Sequence, residues 1–149
     1  NSPEQGKAID ILVAQMDGAS PRMQAALLQA LAQVASKETL QPILAGYKSP
    51  DENLRRQSLK LIGSWKNDNG LPDLLILAED DALPLIDHVV IMRGITRLLA
   101  AQSHEERRED QVIQALECCR RTEEKKALTA LLNKARTPEG QAAFNATRE

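Results

Sequence analysis

The sequence predicts an all-α fold: a right-handed α-α superhelix, or α-solenoid, of about four helix pairs. Two kinds of apolar segment alternate along the chain, the alternation recurs every 31 to 36 residues, and no useful length shows the period of two that is typical of a half-buried strand. A two-helix unit of this length is too small to bury its own apolar face, so neighbouring units must stack into a continuous core. A four-helix bundle is the alternative, but it would not require a repeat.

The repeat is clearest in the segments predicted to form the second helix of each pair, which are residues 25–36, 57–65, 90–100 and 126–135. Their apolar anchors, at spacings of 31, 33 and 36 residues, are Leu31, Ile62, Ile95 and Leu131. Each segment follows a predicted first helix, in residues 8–17, 39–48, 71–80 and 110–119. We therefore predict one repeat domain over residues 1–149, with approximate repeats at 4–36, 38–66, 71–101 and 104–136 and a C-terminal tail at 137–149.

The composition agrees with a helical core. Hydrophobic residues make up 42% of the chain but aromatic residues only 2%, so Leu and Ala supply most of the apolar volume. Such a core suits close-packed helices, whereas strands usually draw on Val, Ile, Tyr and Phe. Trp65, the only tryptophan, falls in the apolar register of its helix and is predicted to lie in the core.

Turn-forming residues separate the predicted helices. In the first pair, Ser20-Pro21 supplies an N-cap followed by a proline at the first helical position, and Ser49-Pro50 repeats this arrangement in the second pair. Residues 66–70 form a polar connection. Residues 105–110 are strongly charged and predict a longer, solvated first helix in the fourth pair, and residues 137–140 predict the end of the array.

The second and third pairs resemble a known family. Residues 49–63, SPDENLRRQSLKLIG, resemble the turn and second helix of a HEAT repeat, with an Asp-Pro-type turn, two arginines, a small residue and a Leu/Ile-Gly pair. Residues 71–75, LPDLL, are similar to the first helix of such a repeat. The resemblance covers about residues 5–136 and is strong over 39–100. Residues 81–86 lack the usual aspartate turn, so we expect irregular stacking or a terminal cap from there on.

Two short stretches are similar to a subset of this family. Residues 93–98 and 121–128 resemble bacterial HEAT modules that are attached to large secreted or envelope proteins. This resemblance implies a non-catalytic module in the periplasm or outside the cell. The chain begins Asn1-Ser2-Pro3 without an initiator Met, so we expect a processed product or a piece of a longer chain. An accessory domain of a larger secreted enzyme is therefore an alternative function.

The sequence shows no arrangement of residues that is typical of catalysis, metal binding or cofactor binding. No nucleophile lies at helical spacing from His88 or His104, which are predicted to be a boundary residue and a solvated loop residue. Glu79-Asp80-Asp81 is the densest acidic cluster, but it lacks the alternation and glycine of a calcium loop and is predicted to be a solvated helix end. The sequence contains neither GxGxxG nor a P-loop. We therefore expect no enzyme activity, no metal and no cofactor.

The two cysteines are adjacent, Cys118-Cys119. A disulfide between sequence neighbours is strained, and on a helix the two side chains diverge by about 100°. We therefore predict that both act as small hydrophobic residues near the edge of the core.

The repeat register shows which basic residues fall at equivalent positions of the second helices. Gln29, Lys60, Arg93 and Thr129 occupy equivalent places, and one turn later come Gln33, Ser64, Arg97 and Asn133. In a two-helix solenoid the second helices line the concave face side by side. The candidate partner-binding ridge is therefore predicted to consist of Arg56, Lys60, Arg93 and Arg97. The alternative is an ordinary solvated ridge of long cationic side chains.

This ridge predicts a protein-interaction or scaffolding module whose partner is a protein, an acidic peptide or a phosphate-bearing ligand. A nucleic-acid-binding solenoid is the alternative, but the net charge of -2 and the pI near 5.8 argue against it. No apolar run reaches the ~18 residues of a membrane span. Self-association through the end faces is also expected to be possible, because terminal repeats need polar caps.

Gly94 provides a test of the repeat register. It matches Ala30, Leu61 and Ala130, so we predict a buried position at which a neighbouring helix approaches closely. Gly94→Leu should lower the free energy of unfolding by about 1–3 kcal/mol through overpacking, although leucine is the better helix former. Thermal denaturation followed by circular dichroism measures this effect. Arg97→Leu, on the outward face of the same helix, is the control, and an unchanged melting temperature for Gly94→Leu contradicts the register.

Overall fold

The computed structural model describes residues 2–148, and the predicted all-α class is confirmed there. These residues form nine α-helices and one short 3₁₀ turn at Asp68–Gly70, without a strand. In chain order the α-helices are α1 Pro3–Met16, α2 Pro21–Val34, α3 Lys37–Tyr47, α4 Glu52–Gly63, α5 Leu71–Ala78, α6 Leu85–Ala101, α7 Glu109–Glu117, α8 Thr122–Ala130 and α9 Pro138–Ala146. Residues 1 and 149 of the predicted domain lie outside the described residues.

The chain divides between Gly70 and Leu71 into two compact units. The first unit contains the helix pairs α1/α2 and α3/α4, and the second contains α5/α6 and α7/α8 followed by α9. In each unit the second helices are packed together, α2 against α4 and α6 against α8. Each pair therefore buries its apolar stripe against its neighbour.

Apolar residues on facing helices form the core of the first unit. Leu31, Ile43 and Ile62 are completely buried. Trp65 is 1% exposed, which confirms its predicted core position, and its indole N–H donates to Asn69 Oδ1 at 3.2 Å. The Asn69 side-chain amide in turn donates to the backbone carbonyl of Ala35, so the polar connection after α4 is tied to the end of α2.

Helices α3 and α4 of the first unit approach each other closely at Gly46 and Ser58. A Cβ atom added at Gly46 would collide with Oγ of Ser58 and would lie 2.9 Å from Cδ1 of Leu28. Ser58 is completely buried, and its hydroxyl has no hydrogen-bond partner among the described residues. The small size of these two side chains is therefore what lets the helices come together.

The core of the second unit is built around the long helix α6. Ile91, Met92 and Ile95 are completely buried, and Gly94 is buried beside them, as its register predicts. The register slips in the fourth pair, where Leu131 is only partly buried while Leu128 and Leu132 are completely buried. Helix α8 ends at Ala130, and the turns that follow rotate the chain away from the α-helical register.

The helix starts confirm one predicted cap and correct another. The hydroxyl of Ser20 accepts from the N–H of Met23 at 3.3 Å, with Pro21 as the first residue of α2. Ser49-Pro50 does not begin α4, which starts two residues later because the carboxylate of Asp51 accepts from the N–H of Leu54 at 2.9 Å.

The predicted long, solvated helix at 105–110 is wrong. Helix α7 begins only at Glu109, which is 5% exposed. The cause is Arg107, whose guanidinium folds back and donates to the backbone carbonyls of Leu99, Gln102 and Leu131 at 3.2, 2.8 and 3.3 Å. Residues 103–108 therefore form a turn that closes the end of α6.

Glu109 joins α7 to the start of α9. Its carboxylate accepts from the N–H of Arg136 at 2.8 Å and from the N–H and hydroxyl of Thr137 at 2.9 and 2.6 Å. Burial alone would raise the pKa of Glu109, but these hydrogen bonds and the charge of Arg136 outweigh burial and lower the pKa. Residues 137–140 were predicted to end the array, but they also begin helix α9. The hydroxyl of Thr137 caps this helix by accepting from the N–H of Gly140 at 3.0 Å.

The contact between Gly46 and Ser58 predicts a non-additive pair of substitutions. Gly46→Ala should destabilise the protein by about 1–3 kcal/mol through overpacking, despite the better helix propensity of alanine. Ser58→Ala should be neutral or slightly stabilising, because it removes a buried hydroxyl that lacks a partner. In the double variant Ser58→Ala should restore part of the loss, since the Cβ of Ser58 lies 3.4 Å from the added methyl group.

Urea denaturation of the four proteins measures this cycle. Additive changes in the free energy of unfolding would show that the two side chains do not limit the approach of the helices.

Candidate functional site

The outward face of α6 carries two of the four predicted ridge residues. Arg93 and Arg97 are exposed, one turn apart, on the side of the helix opposite the buried Ile91 and Ile95. Both line a cleft of about 420 Å³ between α6 and α8. The structure therefore places this predicted pair at a concave surface within the second unit.

A third arginine at this cleft is not among the residues predicted from the sequence. Arg121 precedes α8, and its guanidinium donates to Oε2 of Glu124 at 3.2 Å. The other carboxylate oxygen of Glu124 accepts from the N–H groups of Arg120 and Arg121 at 3.0 and 3.1 Å. Glu124 is 5% exposed, so it holds Arg121 firmly at the edge of the cleft. A glutamate three residues after the start of a helix is a capping pattern that could have revealed this role.

The charges of the cleft favour an anion. Three arginines and two glutamates line it, but Glu124 already accepts hydrogen bonds at both oxygens. Arg93, Arg97 and Glu123 are exposed at the same cleft, so its five charged side chains have a net charge of +1. Guanidinium groups bind carboxylate and phosphate oxygens through paired N–H donors. The cleft can therefore hold an acidic group.

The lining of the cleft also includes exposed apolar surface, contributed by Ala100 and Ala127. The hydroxyl of Thr96, which also lines the cleft, donates to the backbone carbonyl of Met92 at 2.8 Å. An apolar side chain of a bound segment can thus be buried between the arginines.

The other predicted pair, Arg56 and Lys60, lies on α4 in the first unit, and both residues are exposed. Arg56 forms an ion pair with Glu52 at 2.8 Å, in which the two side chains are 73% and 61% exposed. Such surface pairs contribute only about 0–1 kcal/mol, so Arg56 can exchange this partner for another. The convergence of all four residues on one ridge stays a prediction.

The second helices of the first unit are joined by polar side chains. The side-chain amide of Gln57 donates to Gln29 at 2.9 Å, and Lys66 donates to Gln33 at 3.1 Å. Gln29 and Gln33 are ridge positions in the repeat register, and their contacts with residues around α4 agree with second helices that lie side by side.

His88 is not the boundary residue that was predicted. Helix α6 begins at Leu85, which places His88 one turn inside and one turn before the buried Met92, so the ring is completely buried. Neither ring nitrogen has a hydrogen bond of good geometry among the described residues, although the backbones of Ala78 and Cys118 lie close. Burial, with the charge of Arg120, lowers the pKa of His88. The ring is therefore neutral and closed to a substrate.

The cysteines also lack the features of a reactive site. The thiols of Cys118 and Cys119 donate to the carbonyls of Gln114 and Ala115 at 3.4 and 3.5 Å. Cys118 is buried and Cys119 is half-buried, as expected for small hydrophobic residues at the edge of the core. Burial raises the pKa of Cys119 to about 11, which keeps the thiol protonated near neutral pH.

The acidic cluster at the end of α5 is solvated, as predicted. Glu79, Asp80 and Asp81 are exposed, and the carboxylate of Asp80 accepts from the N–H of Ala82 at 2.9 Å. Among residues 2–148 no group of three or more His, Cys, Asp or Glu side chains is arranged to hold a metal ion. Over the same residues, none of the helices combines the length and the apolar character needed to cross a membrane.

A family model described as HEAT repeats matches residues 9–92, which is more than half of the chain. The chain belongs to the HEAT-repeat family. The predicted resemblance and the α-solenoid class are thereby confirmed, while the likeness to a bacterial envelope subset stays a prediction. HEAT repeats generally serve as protein-interaction scaffolds and are typically non-enzymatic. A comparison with curated proteins finds no match.

The burial of His88 predicts a loss of stability on mild acidification. Because the pKa of His88 is lower in the folded state than the ordinary value of 6.5, the unfolded chain takes up a proton first as the pH falls. The free energy of unfolding should therefore decrease below about pH 6.5, by at most ~1.4 kcal/mol per pH unit for this proton. Glu109 adds to this loss only below its unfolded pKa, near 4.5.

His88→Leu tests this prediction by urea denaturation at pH 7.5 and 5.5. The variant should unfold at nearly the same urea concentration as the wild type at the higher pH and should lose less stability between the two. His104→Gln, at the exposed histidine, is the control. An equal loss in the wild type and His88→Leu would contradict the account.

Proposed function

We propose that this HEAT-repeat chain is a non-catalytic interaction module that binds an acidic segment of a partner protein on its second helices. The observation that carries the proposal is the cleft between α6 and α8. There Arg93 and Arg97 are exposed beside a third arginine that Glu124 holds in place.

The arrangement of the cleft supports an acidic segment with an apolar anchor. The guanidinium of Arg121 is already ordered by its ion pair, so little side-chain entropy is lost when a carboxylate binds beside it. Ala100 and Ala127 offer exposed apolar surface for one aliphatic or aromatic side chain of the partner. Since Arg93 and Arg97 are exposed, their charges act mainly on the association rate and on the choice of partner, and salt screens them.

Arg56 and Lys60 are a second proposed contact for acidic side chains, on α4 of the first unit. They have the same spacing as Arg93 and Arg97, one turn apart on a second helix. Arg56 must leave Glu52 in order to bind a partner, and we therefore expect this pair to contribute less than the pair on α6.

Charge reversal at the cleft tests the proposal. The probe is a fluorescein-labelled peptide of about 12 residues, rich in Glu with one Leu, whose binding is followed by fluorescence anisotropy at low salt. Arg93→Glu/Arg97→Glu should weaken binding by about tenfold or more, because two cations that contact the peptide become anions. The matched control is Lys125→Glu/Lys126→Glu, which makes the same charge change on α8 at exposed residues outside the cleft lining.

The control should change the affinity by no more than about twofold. Equal weakening by both variants would show a general charge effect, and the absence of binding to the wild type would remove the proposed function. Circular dichroism establishes that both variants are folded. Arg56→Glu/Lys60→Glu then tests the second contact separately.

A further inference from the structure

A groove runs between the first helices of the first unit, α1 and α3. The second helices of this unit, α2 and α4, are packed together along their length, whereas α1 contacts α3 at far fewer places. The two first helices therefore leave between them a groove of about 780 Å³. This volume is in the range of specific binding pockets in proteins.

The groove has apolar walls. Val13 and Ile9 line it from α1, Pro42 and Ala45 line it from α3, and Leu54 contributes from the start of α4. Val13 is 38% exposed, which leaves apolar surface in contact with water. Covering such a surface with the apolar face of another element is favourable, at about 25 cal/mol per Å².

The charged residues that line the groove are all acidic. They are Asp10, Asp17 and Glu38, all exposed, and no Lys or Arg is among the lining residues. The chain as a whole has 19 basic and 21 acidic residues, so this one-sided set differs from the average surface. Its negative charge favours a basic ligand and disfavours an acidic one.

Helix α3 adds a further acceptor at the same place. Pro42 lies inside α3 and has no N–H, so the carbonyl of Glu38, four residues earlier, lacks its α-helical hydrogen bond. The carbonyl and the carboxylate of Glu38 are thus two acceptors on one residue that lines the groove. Each of them can accept a hydrogen bond from a Lys or Arg side chain.

We propose that the α1/α3 groove docks a basic amphipathic helix of a partner protein. Two helices separated by a groove can accept a third helix between them by ridges-into-grooves packing, with apolar anchors every third or fourth residue. The apolar face of the docked helix packs against Val13 and Pro42, and its Lys or Arg side chains pair with Asp10, Asp17 and Glu38. This site is independent of the proposed acidic-segment cleft, because it lies on first helices and selects the opposite charge.

The test uses a labelled helical peptide of about 14 residues, with Leu at every third or fourth position and Lys at the positions that flank the Leu face. Binding to the full chain is followed by fluorescence anisotropy at low and moderate salt. The wild type should bind this peptide more tightly than a scrambled peptide of the same composition, and should not bind a version with Glu in place of Lys.

Two matched pairs of variants locate the peptide. Asp10→Lys should weaken binding by about tenfold, whereas Glu4→Lys, the same charge change on α1 outside the groove lining, should leave the affinity within about twofold. Val13→Ser should weaken binding, whereas Ile11→Ser, at a more exposed apolar residue of α1 outside the lining, should not. Circular dichroism establishes folding for each variant.

A photo-crosslinking group on the peptide gives a readout that does not depend on the variants. Crosslinks to residues 9–17 and 38–49 support the proposal, and crosslinks elsewhere overturn it. Failure of the wild type to bind, equal binding of the scrambled peptide, or equal losses in the control variants also overturn it. None of these outcomes bears on the cleft between α6 and α8, which is tested with an acidic probe.

Discussion

The apolar stripe that a single helix pair cannot bury is the constraint on which each unit depends. Leu31 and Ile62 in the first unit, and Ile95 in the second, are completely buried because a neighbouring pair covers them. Burying such a side chain contributes about 1.5–3 kcal/mol. Because the stacked faces carry the stability, the outward faces of the helices are free to differ, and the charged residues of both proposed sites lie there.

The charge of the whole chain conceals how its charges are distributed. A net charge of -2 describes a nearly neutral protein, yet the charged residues that line one groove are all acidic, whereas three arginines and two glutamates line one cleft. Each concentration of charge lies within a single unit. The two surfaces therefore favour partners of opposite character, which an average over the chain cannot reveal.

Features that depend on local sequence were the ones that could be predicted. The helix pairs follow from apolar periodicity and from caps such as Ser20, and the burial of Gly94 follows from the repeat register. The prediction for residues 105–110 failed because distant residues decide the outcome there, where Arg107 reaches carbonyls on two other segments. The predicted cap at Ser49 failed for a local reason, because Asp51 accepts from the N–H of Leu54 instead. The gap between α1 and α3 that forms the groove depends on how the helices pack, which no sequence pattern specifies.

Glu124 has two structural roles at the cleft. The same buried carboxylate accepts from the backbone at the start of α8 and from the guanidinium of Arg121. The contacts that start the helix therefore also hold the third arginine at the edge of the cleft. A substitution of Glu124 would therefore disturb the start of α8 and the position of the Arg121 guanidinium together.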